Sequence, residues 1–261
     1  MKKFLILLFL TFGIVSLSEN VDILIKNATV LTMDARRTVI ENGVVAIKNN
    51  TIVEVGREEL LSKYKGKKTI DAEKDIVMPG FINTHTHVSM VAFRSLADDV
   101  PDRLSRYIFP LENKLVSRDL VYKGAVYGIL EMVSTGTTTF TDMYYFEDEV
   151  AKAAELIGMR GILGETVIKN PVADAKEPYG GIEYAEKFIK QYKNSQLVTP
   201  AFAPHAPYTV DEEHLKKITE LSKKYNVPVL MHIAETENEV KQIKEKYNMT
   251  VVEYLNSIRF C

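Results

Sequence analysis

The residues best suited to chemistry are four of the five histidines and one glutamate. His85 and His87 flank a single threonine, and in an extended chain a two-residue spacing turns both imidazoles to the same side. Two neutral imidazoles on one face can share a divalent cation, although a lone His-x-His also occurs where the rings face solvent or pack in a core. His232 closes the apolar run Val229-Leu230-Met231, and Glu235 follows in His232-Ile233-Ala234-Glu235, a carboxylate close to a third candidate ligand. His205 lies between Pro204 and Pro207, which stiffen its backbone. His214, among Glu212, Glu213 and Lys216, reads as a surface residue at a helix start. The helical His-Glu-x-x-His pattern of zinc proteases is absent. The only cysteine is Cys261, so a metal site would rest on imidazoles and carboxylates, and no intrachain disulfide can form.

These residues need elements to position them. From Val21 to about Val77, β-branched runs (21–25, 44–47 and 51–55) are separated by Asn42-Gly43 and Asn49-Asn50, which predicts the strands of a small sheet. Beyond Pro79-Gly80 apolar strands alternate with helical periodicity, the pattern of parallel β/α architecture. The predicted strands are 81–87, 137–143, 161–168, 197–203 and 227–233. Ile182, Ala185, Ile189 and Tyr192 share one helical face, and Leu215, Ile218, Ser222 and Tyr225 another. An open doubly wound sheet or part of a (β/α)8 barrel would satisfy this order. In either, the four histidines fall at strand C-termini, where such folds place their chemistry.

Composition narrows the classes. Of 261 residues, 46% are hydrophobic and 26% charged, the balance of a folded globular protein. The 33 basic and 35 acidic side chains leave a net charge of −2, no footprint for a nucleic-acid backbone. Residues 1–18 stand apart: Lys2 and Lys3, a mostly apolar run from Phe4 to Val15, then Ser16-Leu17-Ser18. This reads as a secretory signal peptide, too short for a stable membrane span, and implies a secreted or periplasmic protein. A translated upstream extension or an uncleaved anchor is the alternative, the former with a cytoplasmic location. The expected organisation is thus a leader over 1–18, a sheet segment over 19–78 and the β/α region over 79–261.

Three stretches in order, 79–87 (Pro-Gly-Phe-Ile-Asn-Thr-His-Thr-His), 204–208 (Pro-His-Ala-Pro-Tyr) and 232–236 (His-Ile-Ala-Glu-Thr), resemble the amidohydrolase superfamily, in its methylthioadenosine/S-adenosylhomocysteine deaminase and chlorohydrolase-like branch. The resemblance implies a TIM-type (β/α)8 barrel beside a small β-sandwich. It implies one divalent metal, Zn²⁺ or alternatively Fe²⁺, on His85, His87 and His232. The implied reaction is hydrolytic deamination of an adenine nucleoside: the cation acidifies a bound water, and the resulting hydroxide attacks the amino-bearing ring carbon. Glu235 would carry protons from the nucleophile to the ring nitrogen, His205 would hydrogen-bond the substrate or the tetrahedral centre, and Glu112 would contact ribose hydroxyls. Asp142 reads as a structural hydrogen-bonding residue. Where some members carry an arginine for the substrate's far end, this chain has Glu165, which argues against recognition of a homocysteine carboxylate.

The spacing is also informative. Gly80 to His232 covers four strand-to-strand steps of 38 residues each, so eight units would need about 300 residues against roughly 250 for a typical barrel, while 182 follow Pro79. About five of eight units are expected, without the sixth-strand histidine and eighth-strand aspartate that complete the family's site. Three readings follow: an adenine-nucleoside deaminase whose partial chain is inactive alone; a chlorohydrolase-like enzyme or an aminohydrolase of another ring such as guanine or cytosine; or a non-catalytic fragment. The partners expected are water and an aminated heterocycle or nucleoside, with homo-oligomerisation left open.

Overall fold

The computed structural model describes residues 18–260, so the expected export segment, save Ser18, lies outside the described residues. The chain divides into two units at Pro79/Gly80. Among the described residues no helix is long and apolar enough to cross a membrane.

The first unit contains β1 (Glu19–Leu31), β2 (Val39–Lys48), β3 (Thr51–Gly56), α1 (Leu60–Lys63), β4 (Tyr64–Asp71) and β5 (Ile76–Val77). They form one mixed sheet in the order β3-β2-β1-β4, with β5 also on β1. Antiparallel β2 and β3 are joined through Asn49, whose φ of 54° suits the tight turn that hairpin twist demands. Val44 and Ala46 pack with Val21, Leu24, Leu60 and Tyr64, while the intervening Val45 packs with Ala28 and Val30 on the opposite face. A single layer with apolar side chains on both faces fits one sheet of the implied sandwich. Sequence reasoning missed β4 because its Tyr-Lys-Gly-Lys-Lys-Thr-Ile-Asp run is almost wholly exposed and has no apolar alternation.

The second unit begins with β6 (Phe81–Thr86), a 3₁₀ helix (Val88–Phe93) and π-helical turns (Leu104–Ile108) that run into α2 (Phe109–Leu115). It continues with α3 (Arg118–Ser134), β7 (Thr137–Tyr144), α4 (Glu147–Ile157), β8 (Arg160–Val167), α5 (Gly181–Tyr192) and β9 (Val198–Pro204). Last come α6 (Glu212–Tyr225), α7 (Glu237–Tyr247) and α8 (Val251–Ser257). The four strands are parallel and lie in chain order, β6-β7-β8-β9. A doubly wound sheet reverses its order at a switch point, so the unreversed order selects the barrel arrangement.

The predicted fifth strand over 227–233 is not a full strand. Val229 makes an isolated parallel bridge with Phe202, and the pairing consists of Phe202 N–H to the Pro228 carbonyl (3.2 Å), Leu230 N–H to the Phe202 carbonyl (2.9 Å) and His232 N–H to the His205 carbonyl (3.0 Å). Pro228 has no N–H to give the ladder, which breaks the regular pattern while leaving the segment extended along β9.

Local chemistry starts and stops the helices around this sheet. Ser117, Asp211 and Thr236 each accept a backbone N–H of the first turn, and Thr250 and Glu253 make a reciprocal capping box. Asn226 and Asn248 end α6 and α7 in the left-handed conformation that asparagine tolerates. The foreseen face of α5 is buried at Ile182, Ala185, Ile189 and Tyr192, and that of α6 is buried at Leu215 and Ile218 but only half-buried at Ser222 and Tyr225. Gly181 lets α5 start against β8, since a Cβ there would lie 2.1 Å from the Thr166 carbonyl oxygen.

Candidate active site

His85 lies in β6 and His87 just beyond it, while Thr86 between them points away and donates its hydroxyl to Asp142 Oδ1 at 2.5 Å. Asp142, fully buried on β7, also accepts the Val88 N–H at 2.7 Å. It pins the strand end that carries the histidines, the structural part foreseen for it.

The imidazoles are oriented through their Nδ1 atoms. His87 Nδ1 meets the Met143 carbonyl at 2.6 Å and His232 Nδ1 the His205 carbonyl at 3.2 Å. Carbonyl oxygens only accept, so each Nδ1 carries the proton and each Nε2 presents a lone pair. Those two Nε2 atoms face one another at 3.2 Å, and one ligand atom each from His85, His87 and His232 lies within 4.8 Å of the others. Burial first, then the neighbouring His87 and His85, holds His232 down to about 4, so it is neutral at pH 7. Lone pairs that face one another repel unless a cation lies between them. Three imidazoles, two of them oriented by backbone carbonyls, are a donor set that fits a divalent metal.

These groups line a cavity of about 570 Å³ together with His205, Glu112, Glu235, Tyr144, Asp98 and Arg103, a size ordinary for a small-molecule site. His205 Nδ1 lies 3.0 Å from Thr209 Oγ1, whose own proton goes to the Ala206 carbonyl at 3.1 Å. Thr209 therefore accepts from His205, whose Nε2 is left as an acceptor. Burial, followed by the nearby His232 and His87, lowers the His205 pKa to about 4 and keeps the ring neutral. Glu112 is buried and accepts the Tyr144 hydroxyl at 2.8 Å, and burial raises its pKa despite that bond.

Glu235 sits in the turn before α7, where Ala234 adopts a φ of 56°. Buried Glu239 holds this turn by accepting the Ala234 and Glu235 N–H groups, both at 3.0 Å. Tyr144, Thr209 and Glu239 were not foreseen. Tyr144 could have been noticed as a polar-tipped aromatic at a strand end, two residues past Asp142, and Glu239 as the third helical residue after Thr236.

Two expectations change. Glu165 is fully buried, accepts the Glu147 N–H at 3.0 Å and contacts the Asp174 carboxyl, and it is not among the cavity's lining residues. Its carboxyl therefore does not confront a ligand. His214 is not a free surface residue: its ring stacks on Tyr179 at 3.5 Å, and its Nδ1 lies 2.7 Å from the α6 cap Asp211.

The sequence profile of the amidohydrolase family matches residues 76–261. A 5-methylthioadenosine/S-adenosylhomocysteine deaminase of Syntrophus aciditrophicus is 39% identical over 243 residues, 92% of this chain and 55% of that protein. A 5'-deoxyadenosine deaminase of Methanocaldococcus jannaschii is 41% identical over 220 residues, 83% of this chain and 51% of that one. The crystal structure of an adenosine deaminase from Xanthomonas campestris with bound zinc superposes with a TM-score of 0.89 at 30% identity, covering 93% of this chain and 56% of that one. The chain belongs to the amidohydrolase family, a class of hydrolases built on the TIM-type barrel. It spans about half the length of the curated relatives it matches.

Proposed function

We propose that this chain carries the metal-binding half of a hydrolytic deaminase for adenine nucleosides, with His85, His87 and His232 holding one Zn²⁺, or alternatively Fe²⁺. The observation that carries the reading is the pair of carbonyl-oriented Nε2 atoms 3.2 Å apart, with His85 beside them, on the wall of a nucleoside-sized cavity. The names of the relatives, deaminases of methylthioadenosine, S-adenosylhomocysteine and 5'-deoxyadenosine, support the substrate class. A divalent cation there supplies water acidic enough to attack an electrophilic ring carbon near neutral pH.

The chain's own residues do the rest. Glu235 carries one proton of the attacking water to the ring nitrogen, and the remaining hydroxyl proton passes to the amino group, which leaves the tetrahedral carbon as ammonia while the ring carbonyl forms. Neutral His205 accepts a hydrogen bond from the substrate through Nε2. Glu112, kept in place by the Tyr144 hydroxyl, accepts hydrogen bonds from the ribose.

The test is metal analysis of the purified chain and of a protein as long as the relatives, with an ammonia-release screen on adenine nucleosides, free bases and chlorinated triazines. One zinc per chain and release from adenine nucleosides in the longer protein are expected. Release confined to guanine or cytosine, or chloride from triazines, would favour the other chemistries. A chain without bound metal would overturn the site.

A further inference from the structure

We propose that Glu165 and Asp174 share one proton in a pH-sensitive latch, which holds the loop 168–180 and the start of α4 behind the cavity wall and releases them as pH rises. Each carboxyl spends one oxygen on a backbone donor of consecutive residues. Asp174 Oδ2 accepts the Phe146 N–H at 2.7 Å, and Glu165 Oε2 accepts the Glu147 N–H at 3.0 Å. The two carboxyls touch, and the oxygen left over on each, Glu165 Oε1 and Asp174 Oδ1, is buried without a partner. Two ionised carboxylates only accept, so neither can satisfy the other. One proton between Oε1 and Oδ1 satisfies both atoms at once and removes a like-charge contact.

The surroundings offer no substitute for that proton. Glu147 and Asp148 face the pair from α4, Tyr145 from the end of β7 and Tyr184 from α5. The Glu147 carboxyl in turn contacts Asp142. Arg118 is bonded to Asp148 and Glu149, Lys152 to Glu149, and Lys176 of the loop to the Val172 carbonyl. Among the described residues the pair belongs to no group of side chains that could hold a metal. Burial raises both carboxyls above their ordinary range, at Glu165 together with the acidic Asp174 and Glu147, and at Asp174 against its hydrogen bonds with Glu165 and Phe146.

The latch also restrains a strained turn. Phe146 caps α4 at φ 55° and ψ 45°, a left-handed conformation unfavourable for an aromatic residue, and its side chain supplies no cap. Withdrawal of Asp174 therefore frees turn and loop together. Val172 and Ala175 of the loop share a buried cluster with Tyr145, and Tyr145 and Thr166 line the cavity.

Hydrogen–deuterium exchange of the full chain, from about pH 5 to about pH 9 and corrected for the intrinsic rate at each pH, follows the latch in peptides covering 144–149 and 168–180. Opened carboxyls titrate in the ordinary range while the closed pair keeps its proton above it. Closing thus takes up one proton, and protection in the parent should fall with rising pH by up to about tenfold per unit. Glu165→Gln and Asp174→Asn each replace the shared proton by a carboxamide N–H, so both should hold protection where the parent loses it. Glu147 and Asp142 are present in all three proteins, and His205 and His232 lie at about 4, below the window, so the difference isolates the latch. The same slope in the parent and both variants would overturn it, as would protection that follows added calcium or magnesium instead of pH. Failure of both carboxamide variants to fold would also overturn it, since a neutral donor is what the latch requires.

Discussion

Two Nε2 lone pairs 3.2 Å apart are costly unless something positive lies between them, and each ring is held by a backbone carbonyl at its Nδ1. His87→Ala and His232→Ala should each reduce bound zinc from one per chain to well below stoichiometric by elemental analysis, because removing one of three ligands leaves two. Glu235→Gln should keep the metal and, in a protein of the relatives' length, lower ammonia release by about 10²–10⁴, the usual contribution of a positioned proton carrier. Retained activity in that variant would remove Glu235 from the mechanism. The histidines were legible in the sequence because strand ends and two-residue spacing are local facts. Tyr144 was not, because its partner Glu112 is 32 residues away and only the fold joins them.

At the level of elements, the carboxylate proposed as proton carrier, Glu235, is placed by a neighbour. Glu239, 1% exposed on the first turn of α7, receives both backbone N–H groups of the left-handed turn that presents Glu235. Glu239→Ala leaves those donors without their acceptor in a turn whose Ala234 and Glu235 are exposed, and we expect a loss of about 1–1.5 kcal/mol in urea unfolding, with bound zinc retained at low temperature. A loss below about 0.5 kcal/mol would show that water replaces the carboxylate. Helix faces were readable here because periodicity reports burial directly, as in α5 and α6. The stretch 227–233 was misread as a full strand because its apolar run outweighed Pro228, whose missing N–H decides the pairing. For β4 the error ran the other way: a mostly exposed, lysine-rich segment is held by its backbone ladder to β1 and by one buried side chain, Tyr64, a pattern without apolar alternation.

Across the whole second unit, buried acid shapes the response to pH. Glu165 is pushed well above the ordinary carboxylate range by burial first and then by Asp174 and Glu147. The folded chain therefore keeps a proton there that the unfolded chain has lost, so this group's contribution is fully present below about pH 4.5 and declines as pH rises toward the folded pKa. Glu165→Gln removes that slope, and the variant should melt a few degrees above the parent at pH 8 with a smaller gain near pH 5. The low-lying His205 and His232 impose the opposite slope between about pH 6.5 and 4, equally in both proteins, so the difference isolates Glu165. Finally, His87 and His232 meet across 145 residues of chain, and among the described residues the segment bearing His232 is hydrogen-bonded to β9 and the His205 carbonyl just beyond it. A cation held there is a clasp as well as a reagent. At a free concentration 100-fold above its dissociation constant it would add about 2.7 kcal/mol to folding, and a strong chelator should lower the melting temperature of the parent by several degrees while leaving His87→Ala unmoved. Loss of the metal and release of the segment that carries His232 and Glu235 then become a single event.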